Sequence, residues 1–103
     1  MASAPTVVIG FSGSVTIRNI EDYAQQLRQA LAEADHVEID LTQLDEVDFT
    51  FIQLLIAALN TAQSQGKTLF LSQPVGGVVL DALTILGGDS GARRGFWFKE
   101  EVA

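Results

Sequence analysis

Between positions 38 and 48 the chain places five carboxylates, Glu38, Asp40, Asp45, Glu46 and Asp48, and two residues later a threonine, Thr50, set between Phe49 and Phe51. Clustered carboxylates are the material of Mg²⁺ or Ca²⁺ sites and of phosphoacceptor aspartates, while a hydroxyl at a helix start serves as a cap or as a phosphoacceptor. The spacing does not match the ligand positions of an EF-hand loop. Glu38 and Asp40 are two apart in a strand-like run, so they share one face, and solvent is the ordinary environment for such a face. A receiver domain with a phosphoacceptor aspartate would need a longer chain with more βα units.

Nucleophilic chemistry has few candidates. Cysteine is absent and His36 is the only histidine, placed in the turn between the first helix and the second strand. A general base needs a nucleophile in reach, and no Ser-centred elbow supplies one. The glycine pairs of "GGVVLD" and "GGDSG" lack the lysine and the spacing of a phosphate-binding loop. They read as a helix start and a helix stop. Arg93-Arg94 beside "GFWF" is a basic pair too short to mark a phosphate grip. The expectation is a non-enzymatic chain with no cofactor and no metal.

Composition narrows the partners. The 103 residues carry a formal net charge of -7, which repels phosphate backbones and anionic lipid, so neither nucleic acid nor direct membrane insertion is expected. With 48% hydrophobic residues the chain can bury one core without disulfides. "MASAPTVVIG" lacks the basic start and long apolar run of a secretory signal, which reads as cytoplasmic.

The elements that must position these residues follow from periodicity. "TVVIGF" (Thr6 to Phe11) is a β-branched strand, continued by "SGSVTI" through a glycine suited to a bulge. Asn19 is a candidate N-cap, after which Ile20, Tyr23, Ala24, Leu27, Ala30, Leu31 and Ala34 recur at helical spacing. Val37, Ile39 and Leu41 alternate as a strand, and "TQLDEVD" reads as a polar acidic loop. A second helix spans about Thr50 to Gln65 and ends at Gly66 before the strand "TLFLS". Val75, Val78, Val79, Ala82, Leu83 and Leu86 form a third helical stripe stopped by Gly87-Gly88, and "GFWF" is either a final edge strand, able to pair two copies, or an aromatic tail folded onto the sheet. The β-α-β-α-β-α order predicts strands two and three as parallel neighbours.

On the second helix Ile52, Leu55, Ile56, Leu59 and Ala62 share one side, the expected core face. Thr50 projects almost oppositely, so its hydroxyl is expected in solvent, open to a kinase. Asp48 or Thr50 would cap the helix. Five aliphatics already fill the stripe, so Phe49, Phe51 and Leu54 are expected to leave apolar surface outside for a partner to cover.

The blocks "GSVTIRN", "VEIDLTQLDEVDFTFIQLLIAAL", "QGKTLFLSQP" and "VLDALTILG", in this order from about Val7 to Gly87, resemble a STAS domain, the fold of the bacterial anti-sigma factor antagonists. The resemblance implies one α/β domain over residues 1–103, with a core at about 7–87, a C-terminal loop and edge strand at 88–103, and a small mixed sheet of about four or five strands packed against helices. In that family the second helix opens with a motif close to D-[ST]-[SA]-G-L, here "DFTFI". Thr50 takes the place of the serine phosphorylated by a partner kinase, Asp48 keeps the acidic residue, and Phe49 and Phe51 stand where the motif has a small hydroxyl residue and a glycine.

The resemblance therefore implies an anti-sigma factor antagonist-like signalling module that docks on a GHKL-type serine kinase and is released by phosphorylation. Asp45, Glu46, Asp48, Phe49, Thr50, Phe51 and Leu54 would form its partner surface. A phosphate at Thr50 adds about -1.5 to -2 charges beside these carboxylates, enough to weaken an apolar contact. Two alternatives stand beside it: the STAS subunit on the ATPase of a phospholipid transporter, and a chemotaxis-associated STAS protein, either using a docking surface that is not phosphorylated. A homodimer stays open.

Overall fold

The computed structural model describes residues 6–85 and 94–98. In chain order these form β1 (Thr6–Val15), α1 (Ile20–Glu33), β2 (His36–Val47), α2 (Phe49–Ser64), β3 (Thr68–Leu71), α3 (Gly77–Ile85) and α4 (Arg94–Phe98). The strands pair in the order β1-β2-β3, with both pairings parallel. Parallel neighbours need a crossover, and α1 and α2 supply the two.

The expected neighbourhood of the second and third strands is present: Val37 lies beside Leu69 and Ile39 beside Leu71. Among the described residues the sheet has three strands, all parallel, in place of a mixed sheet of four or five. "GFWF" is the source of one difference, because Arg94–Phe98 form a short helix. A strand would alternate its aromatic rings between faces. Here Trp97 is fully buried, with Phe96 edge-on against it at 4.9 Å, and the Trp97 carbonyl accepts from the Val75 amide at 2.9 Å. Leu86 and the expected stop at Gly87-Gly88 lie outside the described residues, as does the loop that follows.

The stripes place the core as periodicity requires. Ala24, Leu27, Ala30, Leu31 and Ala34 are buried on the α1 side, and Val37, Ile39, Leu69 and Leu71 on the sheet. Asn19 precedes α1 without capping it: its side chain turns back, accepting from the Thr16 amide at 2.9 Å and donating to the Ser14 carbonyl at 2.8 Å. The free carbonyls at the other end of α1 meet a cation, since the Lys67 ammonium donates to Leu31 O. Beyond α2, Gly66 takes φ +70°, and the amides of Gly66 and Lys67 return to the carbonyls of Gln63 and Ala62, closing the helix in a Schellman motif.

The largest departure from the sequence reading is β2. "TQLDEVD" continues the strand as far as Val47 instead of forming a loop. Two register shifts, between Gly10 and Ser12 and between Gly13 and Ser14, each admit one extra residue of β2 against β1. A bulge moves every later side chain to the opposite face. With a bulge in each interval, half-buried residues recur three apart, at Leu41, Leu44 and Val47, and no alternation survives in the sequence. At the second shift β1 passes through Gly13 at φ +66°, a conformation glycine adopts without a Cβ clash.

A candidate docking face at the start of the second helix

The face is built from the carboxyl ends of β1 and β2 and the helix that follows. Asp48 has extended backbone angles and is the N-cap of α2. Its Oδ1 accepts from the Thr50 amide at 3.0 Å and also from the Thr50 hydroxyl, and its Oδ2 accepts from the Ile17 amide at 2.9 Å. One carboxylate thus closes the first turn of α2 and ties it to the loop between β1 and α1. Desolvation pushes the Asp48 pKa up, but the Thr50 hydroxyl and the amides of Ile17, Thr50 and Phe51 outweigh it, and the net shift is downward. The cap stays ionised at neutral pH.

Thr50 is half-buried, and its hydroxyl is held by the cap in place of pointing freely into solvent. Phe49 is 53% exposed, at the outer side of the same turn. Leu54 is half-buried and lines a shallow groove of about 440 Å³ with Leu27 and Leu31 of α1. Phe51 corrects the expectation of an outer aromatic flank. Its ring has no exposed surface and packs edge-on against Phe11 of β1 at 5.6 Å, while Tyr23 stacks on the same Phe11 at 4.5 Å.

The reason is a rotation of the helix. The buried residues of α2 are Phe51, Ile52, Leu55, Ala58, Leu59 and Ala62, an arc centred on Leu55, with Ile56 moved to its half-buried shoulder. The helix packs against α1 as well as the sheet, so the side bearing Phe51 and Ala58 is covered too.

Of the other carboxylates, two accept from serine hydroxyls and one from its own turn. Asp45 is the unpaired residue of the second bulge and is exposed. Glu46 accepts from the Ser14 hydroxyl at 3.0 Å, across the ladder. At the first bulge Asp40 accepts from the Thr42 hydroxyl at 2.6 Å and from its amide at 2.9 Å, and these bonds hold its carboxyl below the usual range against a slight opposing effect of burial. Glu38 accepts from the Ser72 hydroxyl at 2.6 Å. His36 opens β2 between Thr6 and Thr68 and does not lie in a turn. Among the described residues no three acidic or histidine side chains converge as metal ligands.

Sequence reasoning missed Ile17. It is 68% exposed, and its amide is held by the Asp48 carboxylate, which ties it to the start of α2. The available signal was the β-branched run ending in an isoleucine just before a polar loop, but nothing in the sequence brings position 17 beside position 48.

A small parallel sheet backed by helices, with an acid-capped helix leaving the carboxyl end of its middle strand, defines a STAS-type α/β domain. The chain belongs to that family: the family model described as "Mlab, STAS domain" matches residues 2–90. Among solved structures it is similar to a sulfate transporter family protein from Wolinella succinogenes, at 15% identity and a TM-score of 0.65 over 96% of this chain and 82% of that one, which shows the fold. No curated protein sequence matches it. Among the described residues no helix is long and apolar enough to cross a membrane.

Proposed function

We propose that this protein is a non-enzymatic interaction module that holds a protein partner of bacterial signalling or transport machinery through the start of α2, and that it does so constitutively. The supporting observation is the exposure of Phe49 on a turn locked by the Asp48 cap. An exposed aromatic ring on a turn held by hydrogen bonds is a natural anchor for a docking partner. In this reading Thr50 is a second member of the cap, and the buried Phe51 takes the position where the phosphorylated relatives carry a glycine. The partner of the transporter-type alternative, a nucleotide-binding ATPase, suits a surface that stays covered. The kinase-switched reading keeps one point in its favour, a hydroxyl at the helix position of the phosphorylated serine.

Affinity capture from native lysate with wild type, Thr50→Ala, Thr50→Glu and Phe49→Ser, followed by phosphosite mass spectrometry of the bait, separates the two. Constitutive docking predicts that the first three baits hold the same partner, that Phe49→Ser loses it, and that Thr50 carries no phosphate. Release by Thr50→Glu together with phosphate on Thr50 assigns the kinase-switched role instead.

A further inference from the structure

We propose that the outer edge of β1, from Thr6 to Gly10, is a self-pairing surface through which two copies of this chain join antiparallel into one continuous sheet. It rests on neither reading of the α2 face, because it lies at the opposite end of β1 from Val15.

β1 is an edge strand, and apart from its ladder with β2 the main chain of Thr6–Gly10 makes no hydrogen bond among the described residues. The other edge differs, since α4 packs against β3. Exposed edges are ordinarily blunted by charged side chains, proline or bulges. This stretch has none of them: both register shifts fall after Gly10, and no charged side chain occurs in residues 1–17. Val8 is 59% exposed on it. A recess of about 290 Å³ runs along the same edge, between Val7, Val8 and Gly10 and the α1 residues Gln26, Gln29 and Glu33.

The strip's match to itself selects a second copy as the occupant, and charge permits it. Each chain carries -7, so two copies repel wherever their acidic surfaces meet and can approach only through a neutral strip. This edge offers aliphatic and amide groups, and its one carboxylate, Glu33, is already engaged by the Gln29 amide at 3.2 Å. A cationic peptide would find little to recognise there. The strip is also self-complementary. A two-fold axis at Val8 sets Val8 opposite its own copy, Val7 opposite Ile9 and Thr6 opposite Gly10, all small or β-branched pairs. Val7 and Ile9 face the core side, so pairing carries the hydrophobic layer across the junction.

The test is a charge exchange at the axis, read by sedimentation equilibrium and native mass spectrometry of the full chain. Wild type is expected to dimerise with rising concentration. Val8→Lys alone and Val8→Glu alone are expected to be monomeric, because each sets like charges face to face, and an equimolar mixture is expected to give the heterodimer. A wild type that stays monomeric at its highest soluble concentration overturns the proposal, as do dimers that persist in both variants or a mixture that fails to associate. If either variant does not fold, amide exchange of the wild type decides: protection of Thr6–Gly10 must rise with protein concentration, and unchanged protection overturns it.

Discussion

From Thr6 to Gly10, β1 runs in unbroken register beside His36 to Asp40, whereas from Ser12 to Val15 it runs beside a strand that has gained a residue at each of two shifts. In the first half, side chains alternate between core and outside, and Val37 and Ile39 are fully buried. In the second half side chains add bonds beside the bulges: Asp40 accepts from the Thr42 amide and Glu46 from the Ser14 hydroxyl. Regular pairing builds core, and irregular pairing aims residues. The bulged half delivers Asp48, Phe49 and Ile17 to one place, and the carboxylates that resemble a metal or phosphoacceptor cluster in the sequence are largely occupied in holding that half together.

The comparison is broken most severely at Phe51, which sits beneath the irregular half against Phe11. Phe51→Ala is expected to cost about 3–5 kcal/mol, as truncation of a fully buried aromatic does. Urea denaturation should show it beside Phe49→Ala, which is expected to stay within about 0.5 kcal/mol because that ring is in water. Comparable losses for the two would mean that Phe49 is also a packing residue.

Asp48→Ala comes next, with an expected loss of about 0.5–2 kcal/mol for the helix cap. For a domain of this size each kcal/mol lowers Tm by roughly 4–8 °C, which calorimetry resolves. Amide exchange at Ile17 should accelerate in the same variant, while the amides of Thr6–Gly10 keep wild-type rates.

A smaller effect appears with pH. The carboxyls of Asp40 and Asp48 both lie below their ordinary value, so the folded state holds fewer protons than the unfolded state as acid is added. Their contribution is fully present above the unfolded carboxylate value near 3.9 and is lost as pH falls through the folded values. Against Asp48→Asn, whose amide caps without titrating, the wild-type advantage should shrink from pH 5 downward; a constant difference would remove the linkage. The smallest change is expected from Ile17→Ser, within about 0.5 kcal/mol by denaturation, with an effect on partner capture like that of Phe49→Ser.

Much of this was legible beforehand. The buried stripe of α1, the stop of α2 at Gly66, the alternation of Val37, Ile39 and Leu41 and a cap at Asp48 or Thr50 are local patterns in which composition and periodicity agree. The strand nature of Thr42 to Val47 was not legible, because the bulges form against β1 and the resulting three-residue rhythm resembles neither helix nor strand. The strand reading of "GFWF" misled for a related reason. An aromatic run has high strand propensity, but a buried tryptophan goes where a pocket exists, and here the pocket is met by a turn of helix.

By itself the amino-acid sequence determined the succession of strands and helices through α3, the family, a cap at Asp48 or Thr50 and the uncharged character of the N-terminal strand, since each depends on neighbours a few residues apart. Only the tertiary structure decided that Phe51 turns inward while Phe49 stays exposed, that the Ile17 amide meets the Asp48 carboxylate, and which strand edge is left open among the described residues. Those outcomes depend on how α2 rotates between sheet and α1 and on a hydrogen bond joining residues 31 positions apart in the chain, which no local pattern encodes.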